Sequence, residues 1–168
     1  HFDGSKIELE EIHRFDNDPV MVNGSLYWDV LRLFHELKTG LVRAKHLCKV
    51  ECIGIDTWGV DFGLLDADGR LMGNPYHYRD VKNNGCAEKA EAVMDAQSLY
   101  METGTQIMDI NTLFQLISLY ENQPSLMKNA SLMLPMPDLM AYFLTGVKKC
   151  ERSIASTASM MNVKTGQW

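Results

Sequence analysis

Cysteine pairs at metal or redox spacing, concentrated positive charge and long apolar runs are all missing from this chain, and each absence removes a class of protein. The four cysteines, at 48, 52, 86 and 150, form no C-x-x-C pair and have no histidines at zinc-finger spacing, which excludes the common structural zinc sites. Cys48 and Cys52 span an expected helix-to-strand transition, so their offset implies no shared face. Free, mostly buried thiols in a reducing cytoplasm are the expectation. The five histidines are scattered, and none suggests a metal site. Sixteen Lys and Arg against 22 Asp and Glu leave a formal charge of −6, with no basic stretch beyond Lys148-Lys149. A nucleic-acid or anionic-membrane surface is therefore not expected. No apolar run approaches the roughly 18 residues of a membrane span, and no signal peptide is visible.

What is present is enough apolar residue, 46% of 168, to build one core. Lys6 to Phe15 alternates apolar and charged residues, which predicts a strand with one wet face, broken at Asp16-Asn17-Asp18-Pro19. From an N-cap at Asp29, the apolar spacing predicts an amphipathic helix ending near Lys45. Gly40 within it implies a bend or close packing. Cys52 to Thr57 is apolar without interruption and reads as a strand buried on both faces. A hairpin follows: Val60 to Leu65, a turn at Asp66-Ala67-Asp68-Gly69, and a return through Leu71-Met72 to Pro75. Past Asp80 the pattern becomes mainly helical, with helices over 86–94, 95–102 ended by Gly104, 112–121, and 138–144 ended by Gly146. Val147 to Arg152 reads as a short exposed ribbon.

The most informative stretch is Gly54 to Asp61. Within six positions it delivers Asp56, Thr57, Trp58, Gly59 and Asp61 into one turn. Carboxylates accept hydrogen bonds from hydroxyls, an indole face covers a C–H patch and still offers one N–H, and a glycine lets ligand atoms approach the main chain. That set suits a polyhydroxylated ligand. Gly59 is the leading contact, although a turn glycine has the same letter. Trp58 reads as a sugar-covering ring or as core; Asp56 and Asp61 read as sugar acceptors or as turn caps. Arg79, in Tyr78-Arg79-Asp80, can fork onto sugar oxygens or pair with Asp80 to fix its loop. Asn111 and Gln115, four apart at a helix start, can face the same way; Asn111 also fits an N-cap, which leaves Gln115 the better candidate. Asp138 reads as a first-turn helix anion. Ser153, Ser156 and Thr157 lack a His-Asp partnership and are not nucleophiles.

Glu11-Ile12-His13-Arg14-Phe15, Gly54 to Asp61, Tyr78-Arg79-Asp80, Asn111-Thr112-Leu113-Phe114-Gln115, Met136-Pro137-Asp138 with Leu144-Thr145-Gly146, and Ile154-Ala155-Ser156-Thr157 follow in sequential order. Together they resemble the first lobe of the FGGY carbohydrate kinases, and the Asp-Thr-Trp-Gly-Val-Asp turn resembles the rhamnulose branch. The resemblance implies an α/β fold, a partial ribonuclease-H-like domain of the actin and hexokinase type with a helical cap. Residues 1–168 are then one partial domain, with an α/β part at 1–80 and a mainly helical part at 81–168. The chain starts at His1 without an initiator methionine and stops at Trp168. Both ends are expected to be cut, with the first strand and its phosphate-binding Asp-x-Gly hairpin, the catalytic aspartate and the C-terminal lobe outside.

By the same resemblance, the intact parent is a cytoplasmic enzyme of rhamnose catabolism. It would transfer the γ-phosphoryl of ATP to the C1 hydroxyl of L-rhamnulose, with Mg²⁺ bridging the phosphates. No catalytic, cofactor or metal residue is expected in this piece, which would hold a small ketose and be inactive alone. An edge left by the missing strand is expected to promote self-association. Two alternatives stay open: another FGGY ketose or polyol kinase, acting on xylulose or fuculose, and a non-catalytic sugar-binding module.

Overall fold

The computed structural model describes residues 2–168. A hairpin of β1 (Val20–Val22) and β2 (Ser25–Tyr27) turns on Asn23 and Gly24, at φ 50° and 77°, the conformation that an Asn-Gly hairpin turn demands. α1 (Val30–Leu47) starts at Asp29, whose carboxylate accepts the Arg32 N–H at 3.3 Å, and carries Lys45 and His46 in its last turn. Both features favour the helix dipole. At Gly40 a Cβ would sit 3.5 Å from the Cβ of His13, an ordinary van der Waals contact, so packing alone does not require a glycine there.

β3 (Phe62–Leu65) is buried at all four positions and its antiparallel partner is β4 (Leu132–Pro135), with Phe62 opposite Pro135 and Leu65 opposite Leu132. Between them lie a 3₁₀ turn (Val81–Asn83), α2 (Cys86–Glu91), α3 (Ala96–Thr103), α4 (Thr112–Asn122) and α5 (Pro124–Asn129); α6 (Met136–Thr145) and α7 (Arg152–Ser156) follow. Helices α3 and α6 end on Gly104 and Gly146 in the left-handed region, as the sequence predicts. The main core gathers Trp28, Val30, Leu65, Leu134, Met136, Leu139 and Met140. It therefore draws on both ends of the chain.

The structure departs from several expectations. Residues 8–19 have no regular structure, and the only pairing near them is an isolated Phe2–Ile7 bridge. His13 instead ties this segment to α1, its Nε2 lying 2.7 Å from Glu36 Oε2. The expected strand at 52–57 is extended coil with Cys52, Ile53 and Gly54 exposed. Apolar sequence does not make a strand where no neighbouring backbone takes up its donors and acceptors. The turn at Asp66–Gly69 forms, with the Gly69 N–H donating to Asp66 O at 3.0 Å. Its return arm gives an isolated Leu65–Leu71 bridge, with the Met72 N–H donating to Leu64 O at 2.9 Å, and β4 pairs with the other edge of β3. No ribbon forms at 147–152; α7 starts at Arg152 and α2 stops at Glu91. The cysteines are free as expected, yet only Cys86 is buried. Among the described residues, no helix is long and apolar enough to cross a membrane.

Candidate functional site

The turn between Thr57 and Phe62 is tight and strained. Asp61 N–H donates to Gly59 O at 2.9 Å, closing a three-residue turn on Val60, whose φ is 68°. A β-branched residue in that region is a true outlier, and positive-φ γ-turns are rare. Such a conformation persists only where its surroundings over-determine it. Here they do: Val60 O accepts Thr112 Oγ1 at 2.8 Å and Gln115 Nε2 at 3.2 Å from α4, and Asp61 O accepts the Met136 N–H at 3.0 Å from α6.

Asp61 is the hub of this bracing. It is 2% exposed, and its Oδ2 accepts the indole N–H of Trp28 at 2.5 Å, that of Trp58 at 2.8 Å and the Tyr78 backbone N–H at 3.4 Å. Its Oδ1 accepts Gln115 Nε2 at 2.9 Å. No cation faces it. Burial pushes its carboxyl up to about 6, against the downward pull of the Gln115, Trp28, Trp58 and Tyr78 donors. Around it the rings stack in series, Trp58 on Trp28 at 4.2 Å, Trp28 on His77 at 4.2 Å, and His77 on Tyr78 at 4.4 Å. The chain positions Trp28 by lacing β2 to the segment after Pro75: Trp28 N–H donates to Pro75 O and His77 N–H to Leu26 O, each at 2.9 Å.

The six candidate residues thus divide. Asp61 and Gln115 are buried and turned onto one another, an arrangement that supports the turn. Gln115 also donates to Ile110 O at 2.8 Å. The N–H that Trp58 was expected to offer a ligand is spent on Asp61, though the residue is only half-buried. Gly59 is half-buried, and a Cβ there would meet only Thr157 Oγ1 at 3.9 Å and Ile154 Cδ1 at 4.0 Å. Asp56 and Arg79 are exposed. The Arg79 guanidinium lies 5.3 Å over the Tyr78 ring. It does not pair with Asp80, which instead fixes the loop by accepting the Leu26 and Lys82 N–H groups at 2.6 and 2.9 Å.

Of the other side chains, Asp138 falls where the structural reading put it, and Asn111 takes the N-cap position without its side-chain bond. Asn111 precedes α4 but is not a side-chain cap; its Nδ2 donates to Gln106 O at 2.6 Å and Ser159 Oγ at 2.9 Å. Asp138, in the first turn of α6, accepts the Glu151 N–H at 3.1 Å. Sequence reasoning missed Trp28, Val60, His77 and Thr112. Trp28, next to the Asp29 cap, carried only the signal of an aromatic residue at a helix start.

Beside Gly59 opens a groove of about 810 Å³, lined by Thr103 to Gln106, by α7 from Glu151 to Thr157, and by Met161 to Val163 with Gly166. Its size falls in the range of small-molecule sites. A Mg²⁺–nucleotide complex does not fit the residues of the turn, because the oxygens of Asp61 are covered by N–H donors. Among the described residues, no group of three or more His, Cys, Asp or Glu is placed to hold a metal ion.

Comparison with known proteins agrees with this layout. The sequence profile of the FGGY family of carbohydrate kinases, N-terminal domain, matches residues 24–168. A rhamnulokinase of Bacteroides thetaiotaomicron is 42% identical over 160 residues, 95% of this chain and 33% of the relative. One from Halalkalibacterium halodurans is 39% identical over 164 residues, 97% of this chain and 35% of the relative. The chain therefore spans about a third of the length of these relatives. Among solved structures, a ligand-bound xylulose kinase from Lactobacillus acidophilus superposes with a TM-score of 0.81 at 17% identity, covering 90% of this chain and 32% of that one. A gluconate kinase from the same organism gives 0.77 at 17%, covering 90% and 32%. These likenesses carry the fold alone, a mixed α/β arrangement shared with the solved sugar kinases; the expected partial ribonuclease-H-like sheet is represented among the described residues by two two-stranded sheets. With the profile spanning nearly all of the sequence, the chain belongs to the FGGY family of carbohydrate kinases, as its N-terminal domain.

Proposed function

We propose that this chain is the sugar-holding part of a kinase that transfers the γ-phosphoryl of ATP to the C1 hydroxyl of L-rhamnulose, giving L-rhamnulose 1-phosphate. The observation that carries the site is a half-buried Gly59, touched only at van der Waals distance by Thr157 and Ile154, on a strained turn braced from three elements. Phosphoryl transfer relies mostly on positioning and electrostatic stabilisation, so a rigid main-chain turn that fixes the sugar is the contribution one lobe has to make. In this reading the sugar lies against Gly59 and the exposed part of Trp58, with Asp56 and Arg79 supplying an acceptor and donors at the rim. Asp61 and Gln115 hold the turn from behind. The likeness to rhamnulokinases over nearly the whole chain supports rhamnulose as the ketose.

Titration calorimetry of the full chain with L-rhamnulose, D-xylulose and L-fuculose tests the reading. Rhamnulose should bind tightest, and Gly59→Val should weaken it at least tenfold by steric exclusion. Equal binding of all three sugars removes the rhamnulose assignment; undiminished binding by the valine variant removes the site. These 168 residues alone should bind sugar without consuming ATP, since the buried carboxylate of the turn is already covered by donors. Ketose-dependent ADP release above a no-protein control would overturn that.

A further inference from the structure

We propose that Thr157 forms the second wall of this sugar site, at the mouth of a groove whose hydroxyls are turned to accept hydrogen bonds from the ligand. The inference rests on the sugar reading of Gly59 and adds the wall that adjoins it. Thr157 is 98 positions away in sequence, yet its Oγ1 is the nearest atom, at 3.9 Å, to the place a Cβ would take on Gly59. It is exposed and lines the groove of about 810 Å³.

The direction of its hydroxyl decides the chemistry. Thr157 Oγ1 donates its single proton to Ile154 O at 2.7 Å, inside α7. Both lone pairs are then left for a partner outside the helix. The neighbouring hydroxyls behave alike. Ser156 Oγ donates to Ser153 O at 2.7 Å, Ser153 Oγ to the Glu151 carboxylate, and Thr105 Oγ1 to Thr103 O and Ser156 O, each at 3.3 Å. Four hydroxyls lining one groove have their protons committed to the protein. What they present outward is acceptor capacity, and a ligand rich in O–H donors answers it. Arg152, on the same groove, adds a donor for a ligand oxygen. Thr157 is thus assigned contact with a sugar hydroxyl, while Ile154 Cδ1, 4.0 Å from the same point at Gly59, offers an apolar neighbour to a C–H edge.

The test uses Thr157→Val, which keeps the shape and removes the acceptor, and Thr157→Ser, which keeps the hydroxyl. Gly59→Val serves as the control for the sugar reading itself. Calorimetric titration of the full chain with L-rhamnulose should show about tenfold weaker binding for the valine variant, and binding within about twofold of the parent for serine. Melting temperatures report on folding, and Thr157→Ala gives the same readout if valine disturbs α7. Undiminished binding by Thr157→Val, with loss on Gly59→Val, overturns the second wall and leaves the sugar reading standing. Loss on neither overturns both. Equal loss for valine and serine also overturns the proposal, because it assigns the effect to shape and not to the hydroxyl.

Discussion

Residues 50–57 and 62–65 flank the same turn and both carry aliphatic residues, the first interrupted by Glu51 and Asp56, but they end in opposite environments. Phe62 to Leu65 are buried at every position and paired to β4. Val50 and Ile53 stay 41% and 50% exposed, in a segment with no strand partner among the described residues. The difference lies in what surrounds each segment. β3 finds a neighbouring backbone and the face of α6, where Leu139 packs closely against Gly63; residues 50–57 find neither. Apolar character provides the drive for burial, and a strand also needs a partner for its main chain.

Substitutions break this comparison in order of size. Leu65→Ala, at a site with no exposure, should lose about 3–5 kcal/mol in urea unfolding, as truncations that leave a core cavity do. The charge of Asp61 comes next. Its folded pKa, raised from 3.8 to about 6, means that the folded state holds the proton more tightly. Its contribution is complete below about pH 4 and is lost as the pH rises through about 6, a loss of about 3 kcal/mol. His77 acts in the opposite sense, because burial lowers its pKa from 6.5 and favours the fold as the pH rises. Comparing the pH dependence of unfolding for the parent and Asp61→Asn isolates the carboxylate; identical profiles would deny it this role.

Smaller effects sharpen the contrast. Val60→Gly should stabilise the fold by up to about 1 kcal/mol, since glycine tolerates the positive φ that valine resists, less the entropy a glycine adds to the unfolded chain. Lower stability would mean that the valine side chain contributes more than its backbone costs. Ile53→Ala should change stability by less than about 0.5 kcal/mol. A loss approaching that of Leu65→Ala would show that residues 50–57 are buried in solution.

Several features were legible along the chain itself. The Asp29 cap and apolar spacing located α1, glycines located the ends of α3 and α6, and the Asp-Ala-Asp-Gly turn formed where its letters put it. These signals are local: a cap, a positive φ or a helical stripe acts within a few residues. The Asn23-Gly24 hairpin had a comparable local signal that periodicity reading passed over. β4 had none, because Leu132 to Pro135 become a strand only through pairing with residues some 70 positions earlier.

The candidate site divides on the same line. Sequence alone identified a turn that brings together glycine, indole and carboxylates, because chain neighbours are forced into proximity. Only the tertiary structure decided what those groups do. A carboxylate accepts whichever donors the fold delivers, and here Trp28 and Gln115, 33 and 54 positions away, reach Asp61. The same folding brings Thr157 to the side of Gly59, since which side chains meet is a property of packing and not of residue type.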